Sequence, residues 1–170
     1  MNEQEAIQQV LADLDAALPA GVGVRTAGGD ADAKPPYVVV RWRSDRLPEE
    51  NGANPFADFT RDPESGDAVG REFHQYFEFT ADCVVRVYDE GDRDVYLDRI
   101  DDAFLPYEYD SSAFHPDTAE WRVGGSEPRS NPVVEPDWYE GGKVVRFKYV
   151  KRVTQTADAL GDTQQNIDAE

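Results

Sequence analysis

From Glu72 to Tyr88 apolar and polar residues alternate without a break, and this stretch constrains the fold more than any other feature of the chain. Phe73, Gln75, Phe77, Phe79, Ala81, Cys83, Val85 and Val87 fall on one side; His74, Tyr76, Glu78, Thr80, Asp82, Val84, Arg86 and Tyr88 fall on the other. A two-residue period puts successive side chains on opposite faces of a β-strand. At about 3.3 Å per residue such a strand exceeds about 50 Å if flat, where globular strands usually run to about five or six residues. It therefore bends, carries a bulge, or projects beyond the body.

Two helices are predicted to cover its apolar side. Ile7, Val10, Leu11, Leu14 and Leu18 recur at helical spacing and predict a helix over about 3–18, with acidic residues at its positive end and Pro19 and Gly21 closing it. Asp89-Glu90-Gly91-Asp92 makes a turn, and Asp92 is expected to cap a second helix over Arg93–Phe104. In that helix Tyr96, Leu97, Ile100, Ala103 and Phe104 face inward and Pro106 ends it. Further strands are expected at Val22–Thr26, at Tyr37–Arg43 and around Trp121 at Thr118–Val123. Asp137–Tyr139 and Lys143–Val153, on either side of Glu140-Gly141-Gly142, read as a hairpin.

The sum is an α+β fold: one domain over 1–153 with a mixed, mostly antiparallel sheet, two helices on one face and a projecting hairpin. Residues 44–71, with Pro48, Asn51-Gly52, Asn54-Pro55, Pro63 and Gly66, read as a long mobile loop and a candidate binding arm. Gly28–Pro36 reads as a polar loop, and Tyr107–Pro116 as an irregular connection. Ser126–Pro136, with three prolines, is expected to be extended but poorly paired, and 154–170 to be an acidic, polar, disordered tail.

Charge narrows the setting. Against 35 Asp and Glu stand 17 Lys and Arg, a net charge of −18, and 13 of those cations are Arg. The acids are spread along the chain among many aromatics, so neither an acidic disordered tail nor a polyanion mimic fits. Adaptation to molar salt does, because there the Debye length falls to about 3 Å and self-repulsion is screened. The first 20 residues lack the basic and apolar regions of a signal peptide, and no run reaches the roughly 18 apolar residues of a membrane span.

Catalytic chemistry finds little purchase. His74 and His115 are the only histidines and have no second ligand at metal-site spacing, and Cys83 sits in mid-strand on the apolar side, as a small buried hydrophobe does. The acids around Asp89, Asp92 and Asp94 lack the spacing of a calcium loop, and Gly28-Gly29 and Gly124-Gly125 precede no phosphate-loop Lys-Ser or Lys-Thr. No cofactor is expected.

One local feature opposes the global charge. Lys143, Arg146, Lys148, Lys151 and Arg152, with Arg41 and Arg43, gather much of the positive charge. They either blunt a sheet edge and pair with neighbouring acids, or contact an acidic subunit or passing DNA. For protein contacts the candidates are the large aromatics Trp42, Phe56, Phe59, Tyr76, Trp138 and Tyr139, because such residues dominate interface energetics; core packing is the alternative for each.

The helix Ile7 to Leu18, the strand Phe73 to Tyr88 with the helix Asp92 to Phe104 after it, and the closing strand Val144 to Val153 resemble, in size and order, the tail terminator and tail-completion proteins of long-tailed viruses. The resemblance covers most of the chain through its pattern of elements, without a diagnostic motif. It implies a small structural subunit of the head–tail neck, assembled with its own copies into a ring, usually a hexamer, that caps the tail tube. The implied partners are tail-tube and head-connector proteins. The implied locations are the virion and, during assembly, the cytoplasm of a salt-loving archaeal host. The long 44–71 and Ser126–Pro136 segments depart from the family and leave a head-completion or baseplate protein open. From a different class, a cellular module that binds a peptide or small ligand predicts a monomer or dimer with one apolar pocket. An enzyme requires a catalytic set that the sequence does not display.

Overall fold

The structure, a computed structural model, describes residues 1–27, 34–47, 56–125 and 138–156, excluding the side chains of 56–58 and 156. Helix α1 (Glu3–Ala17) is followed by strands β1 (Gly23–Thr26), β2 (Tyr37–Arg46), β3 (Phe56–Arg61) and β4 (Ala68–Val87). Helix α2 (Glu90–Tyr109), a short 3-10 turn at Ser111–Ala113, β5 (Thr118–Gly125) and β6 (Tyr139–Thr156) complete the order. The six strands make one mixed sheet in the order β1-β2-β4-β6-β5, with β3 beside β4. Only β1 and β2 run parallel; the other pairings are antiparallel. The α+β architecture follows the sequence pattern.

The alternation in β4 sorts its faces as expected. Phe79, Ala81, Cys83, Val85 and Val87 are buried, and the register sets Val38 and Val40 of β2 and Val145 and Phe147 of β6 beside them on the same side. Onto that side pack Ile7, Val10 and Leu14 of α1 and Ile100 and Phe104 of α2. A fully buried side chain of this size contributes about 1.5–3 kcal/mol, so these residues hold the two layers together. Asn2 and Glu5 close the start of α1 as a capping box, each side chain accepting from the other's backbone N–H at 2.9 and 2.8 Å. Between the helices the Tyr107 hydroxyl donates to Asp13 Oδ2 at 3.1 Å. Burial there raises the Asp13 carboxyl above its ordinary value, more than the bonds from Gln9 and Tyr107 lower it.

Several expectations are corrected. The hairpin at Glu140-Gly141-Gly142 does not form, because β6 runs through these residues and pairs with β4 as far as Tyr139. A Cβ on Gly141 would lie 2.9 Å from Leu97 Cδ1 and 3.0 Å from Arg93 Cδ, so this glycine serves the close approach of α2 to the sheet. Pro106 does not end α2, which runs on to Tyr109. Proline in a helix interior costs about 3 kcal/mol. The last turn is held because Tyr107 packs against Phe114 and Trp121, with ring centroids at 5.3 and 5.0 Å. The cap of this helix is Asp89, whose Oδ1 accepts from Gly91 and Asp92, and not Asp92 itself.

A further correction concerns the 44–71 loop. Ser44–Arg46 belong to β2, Phe56–Arg61 form β3, and Ala68 onward belongs to β4. Asp62 makes the β3–β4 turn by accepting from the backbone N–H groups of Glu64 and Ser65, both at 2.8 Å, and Gly66 takes the positive φ of 75° that the turn requires. The same two backbone donors hold the Asp62 carboxyl below its ordinary value. Residues 48–55 of that expectation lie outside the described residues, as do 126–137, 157–170 and 28–33. The closing strand also runs on past its expected end at Val153, because β6 reaches Thr156.

Candidate assembly surface

The long strand projects. The helix-covered core ends on β4 at Phe79 and on β6 at Phe147 and Tyr149, whereas β4 starts at Ala68 and β6 continues to Thr156. With β3 these ends make a three-stranded arm running about 30 Å past the helix layer. The junction is firm: Phe77 stacks on Tyr149 at 5.3 Å, and the Tyr149 hydroxyl and Ser44 Oγ share a hydrogen bond of 2.8 Å.

On the helix side of the arm the apolar face of the sheet continues without cover among the described residues. Register places Phe59 opposite Arg71, and Val153 opposite Phe73, while Val69 falls on the same side by alternation. Phe59 is 42 %, Val69 39 % and Val153 37 % exposed, and Phe73 is half-buried. Arg71 and Lys151 lie on the same side by register, and charged residues of this kind discourage indiscriminate edge pairing.

The expected interface aromatics do not form one surface. Phe59 lies on the arm; Phe56 stands opposite Phe73 in the register, its side chain outside the described residues. Trp42, opposite Ala81, sits at the margin of the helix layer and is 36 % exposed. Tyr76 is exposed on the reverse face, opposite Val150. Trp138 and Tyr139 lie at the other end of β6, where the Arg86 guanidinium stacks between Trp138 and Tyr37 at 5.9 and 5.8 Å and pairs with Glu140 at 2.7 Å. Sequence reasoning missed Val69, Phe73 and Val153 as surface residues. The signal was present in the alternation, which continues past the point where two short helices can cover it.

The expected basic patch is divided between the two faces. Arg41, Arg43, Arg146, Lys148 and Arg152 lie on the face of the sheet turned away from the helices, whereas Lys143 and Lys151 lie on the helix side, opposite Cys83 and Gln75. Most find carboxylates: Lys143 pairs with Asp101 of α2, Lys148 with Glu120 at 2.7 Å, Arg152 with Asp117 at 2.8 Å and Arg43 with Asp45 at 3.1 Å. Arg122, absent from the expected patch, joins Arg146 across β5 and β6. Glu120 has a φ of 54° at the bulge that shifts this register, which is why the sequence alone did not bring Arg122 to that place.

Where the arm leaves the body, Asp117 collects the Met1 ammonium at 2.9 Å, with Arg152 on its other oxygen. The Met1 ammonium first, and then Arg152, hold the Asp117 carboxyl below its ordinary 3.8, against a smaller opposing effect of burial. A depressed folded value means that the contact stabilises the fold above pH 3.8 and is lost as pH falls through the lower, folded value. Acid titration of thermal stability is therefore expected to show a component below pH 3.8 that Asp117→Asn removes.

Burial, and secondarily the charge of Asp82, push the Cys83 thiol up to about 12, which leaves it protonated and enclosed. Among the described residues no group of three or more His, Cys, Asp or Glu is placed to hold a metal ion, and no helix is long and apolar enough to cross a membrane. In comparison with known proteins, the chain matches no family model and no curated sequence.

Proposed function

We propose that this chain is a structural, non-enzymatic subunit of the head–tail neck of a long-tailed virus of a halophilic archaeon, forming a ring with its own copies that caps the tail tube. The observation that carries the reading is the arm. A sheet that extends about 30 Å past its helix layer, with Phe59, Val69 and Val153 exposed on its apolar side, is built to be covered by a neighbour. The neighbour is a second copy, with tail-tube and head-connector proteins meeting the assembled ring. The charge of −18 fits assembly in molar salt, where subunit repulsion is screened and apolar burial acts unopposed.

Electron microscopy of the purified chain with tail-tube protein from such a virus tests the reading. Rings seated on tube ends are the expected result. A chain that stays monomeric, ignores tube and connector proteins and binds a peptide or small ligand overturns it in favour of a binding module.

A further inference from the structure

We propose that a second copy of this chain docks the outer stripe of α2 against an arginine row on the face of the sheet turned away from the helices, so that subunits join front to back. The proposal rests on the self-assembly reading above and adds a contact separate from the arm.

Val95, Asp98, Asp102, Leu105 and Tyr109 recur at three- and four-residue spacing, all exposed, on the side of α2 opposite the buried Ile100 and Phe104. Of the other acids of this helix, Glu90 and Asp94 pair with Arg93, Asp101 pairs with Lys143 and Glu108 accepts from the Val123 N–H, while Asp92 lies apart in the first turn. Among the described residues Asp98 and Asp102 have no basic partner. The stripe therefore presents two unengaged carboxylates between apolar ends.

On the opposite broad side of the subunit, cross-strand register lines up Arg43, Thr80, Arg146 and Arg122 in one row over β2, β4, β6 and β5. Both neighbouring rows do hold carboxylates, with Arg41 facing Asp82 on one side and Asp45 and Glu78 beside Lys148 on the other. This row holds three guanidinium groups and no carboxylate. Arg122 and Arg146 have no ion pair among the described residues, and the partner of Arg43, Asp45, is itself largely exposed. Like charges directly opposed on neighbouring strands destabilise a sheet, so carboxylates supplied from outside relieve the Arg146–Arg122 pair. Tyr76, exposed on the same face four residues along β4, offers contact to the apolar ends of the stripe.

Because the two surfaces lie on opposite sides of one subunit, a single copy cannot satisfy both within itself. Their pairing is head-to-tail, the class of contact that closes into a ring when the rotation permits. Such pairs are partly desolvated on docking and are screened by salt less than the long-range repulsion between acidic bodies.

The test uses Asp102→Cys and Arg146→Cys in separate full-length chains, mixed and treated with a short bismaleimide; the native Cys83 is buried and does not compete. A cross-linked dimer that requires both variants is expected. In parallel, Arg122→Asp with Arg146→Asp is expected to self-associate about tenfold or more weakly, as is Asp98→Arg with Asp102→Arg, while the two variants mixed regain assembly. Wild-type-like association of each reversed variant alone, without the mixed cross-link, overturns this contact and leaves the arm reading standing. A wild-type chain that is monomeric at every salt concentration overturns both.

Discussion

Phe147→Ala is expected to destabilise the chain by about 3–5 kcal/mol, the usual cost of truncating a core phenylalanine. Phe147 lies at the centre of the aromatic core, stacked on Trp121 at 4.4 Å and on Phe79 at 4.9 Å, with Phe114 at 5.2 Å. Removing the ring deprives three neighbours of contacts at once, and large stacked rings cannot collapse into the space without leaving their own partners. At about 2–4 °C per kcal/mol for a chain of this size, Tm falls by roughly 10 °C. Urea unfolding followed by tryptophan fluorescence checks it, since Trp121 reports directly on the site. A loss under about 1 kcal/mol would show that the core is looser than these distances require.

Phe59→Thr combined with Val153→Thr is expected to weaken self-association about a hundredfold while changing stability little. Both residues are exposed on the arm, and threonine keeps the strand preference while removing most of the apolar surface. If both side chains are buried by a neighbour, their loss together costs about 3 kcal/mol of association, which is about a hundredfold. Exposed substitutions away from the core usually alter stability by no more than about 0.5 kcal/mol, so melting should stay near that of the wild type. Sedimentation and thermal melting of the same samples separate the two effects. Unchanged association would remove the arm from the interface.

The body of the fold was legible where residue period and burial act together. The alternation in β4 identified its buried side from sequence because α1 and α2 cover that side, and Ile7, Val10 and Leu14 marked the face of α1 for the same reason. The errors fell where a local signal met a tertiary demand. Gly141-Gly142 carries the composition of a turn, but Gly141 is needed under Leu97 and Arg93; Pro106 carries the signal of a helix end, but Tyr107 is held in the aromatic core. The β3 strand was hidden because Phe56–Arg61 is short and lacks a sustained alternation, and it forms by pairing along an edge that β4 already presents. Register explains why the candidate surface was only partly readable. Which cations share a face follows from pairing across strands, and the bulge at Glu120 that places Arg122 beside Arg146 leaves no mark in the spacing.

Self-assembly is tested by the molar mass of the purified full-length chain from light scattering after size exclusion, in about 2 to 3 M salt and again at low salt. One closed multimer of defined mass, a hexamer, is expected in high salt, dissociating as the salt is removed and repulsion between subunits of charge −18 returns. A chain that is monomeric in both conditions would contradict it.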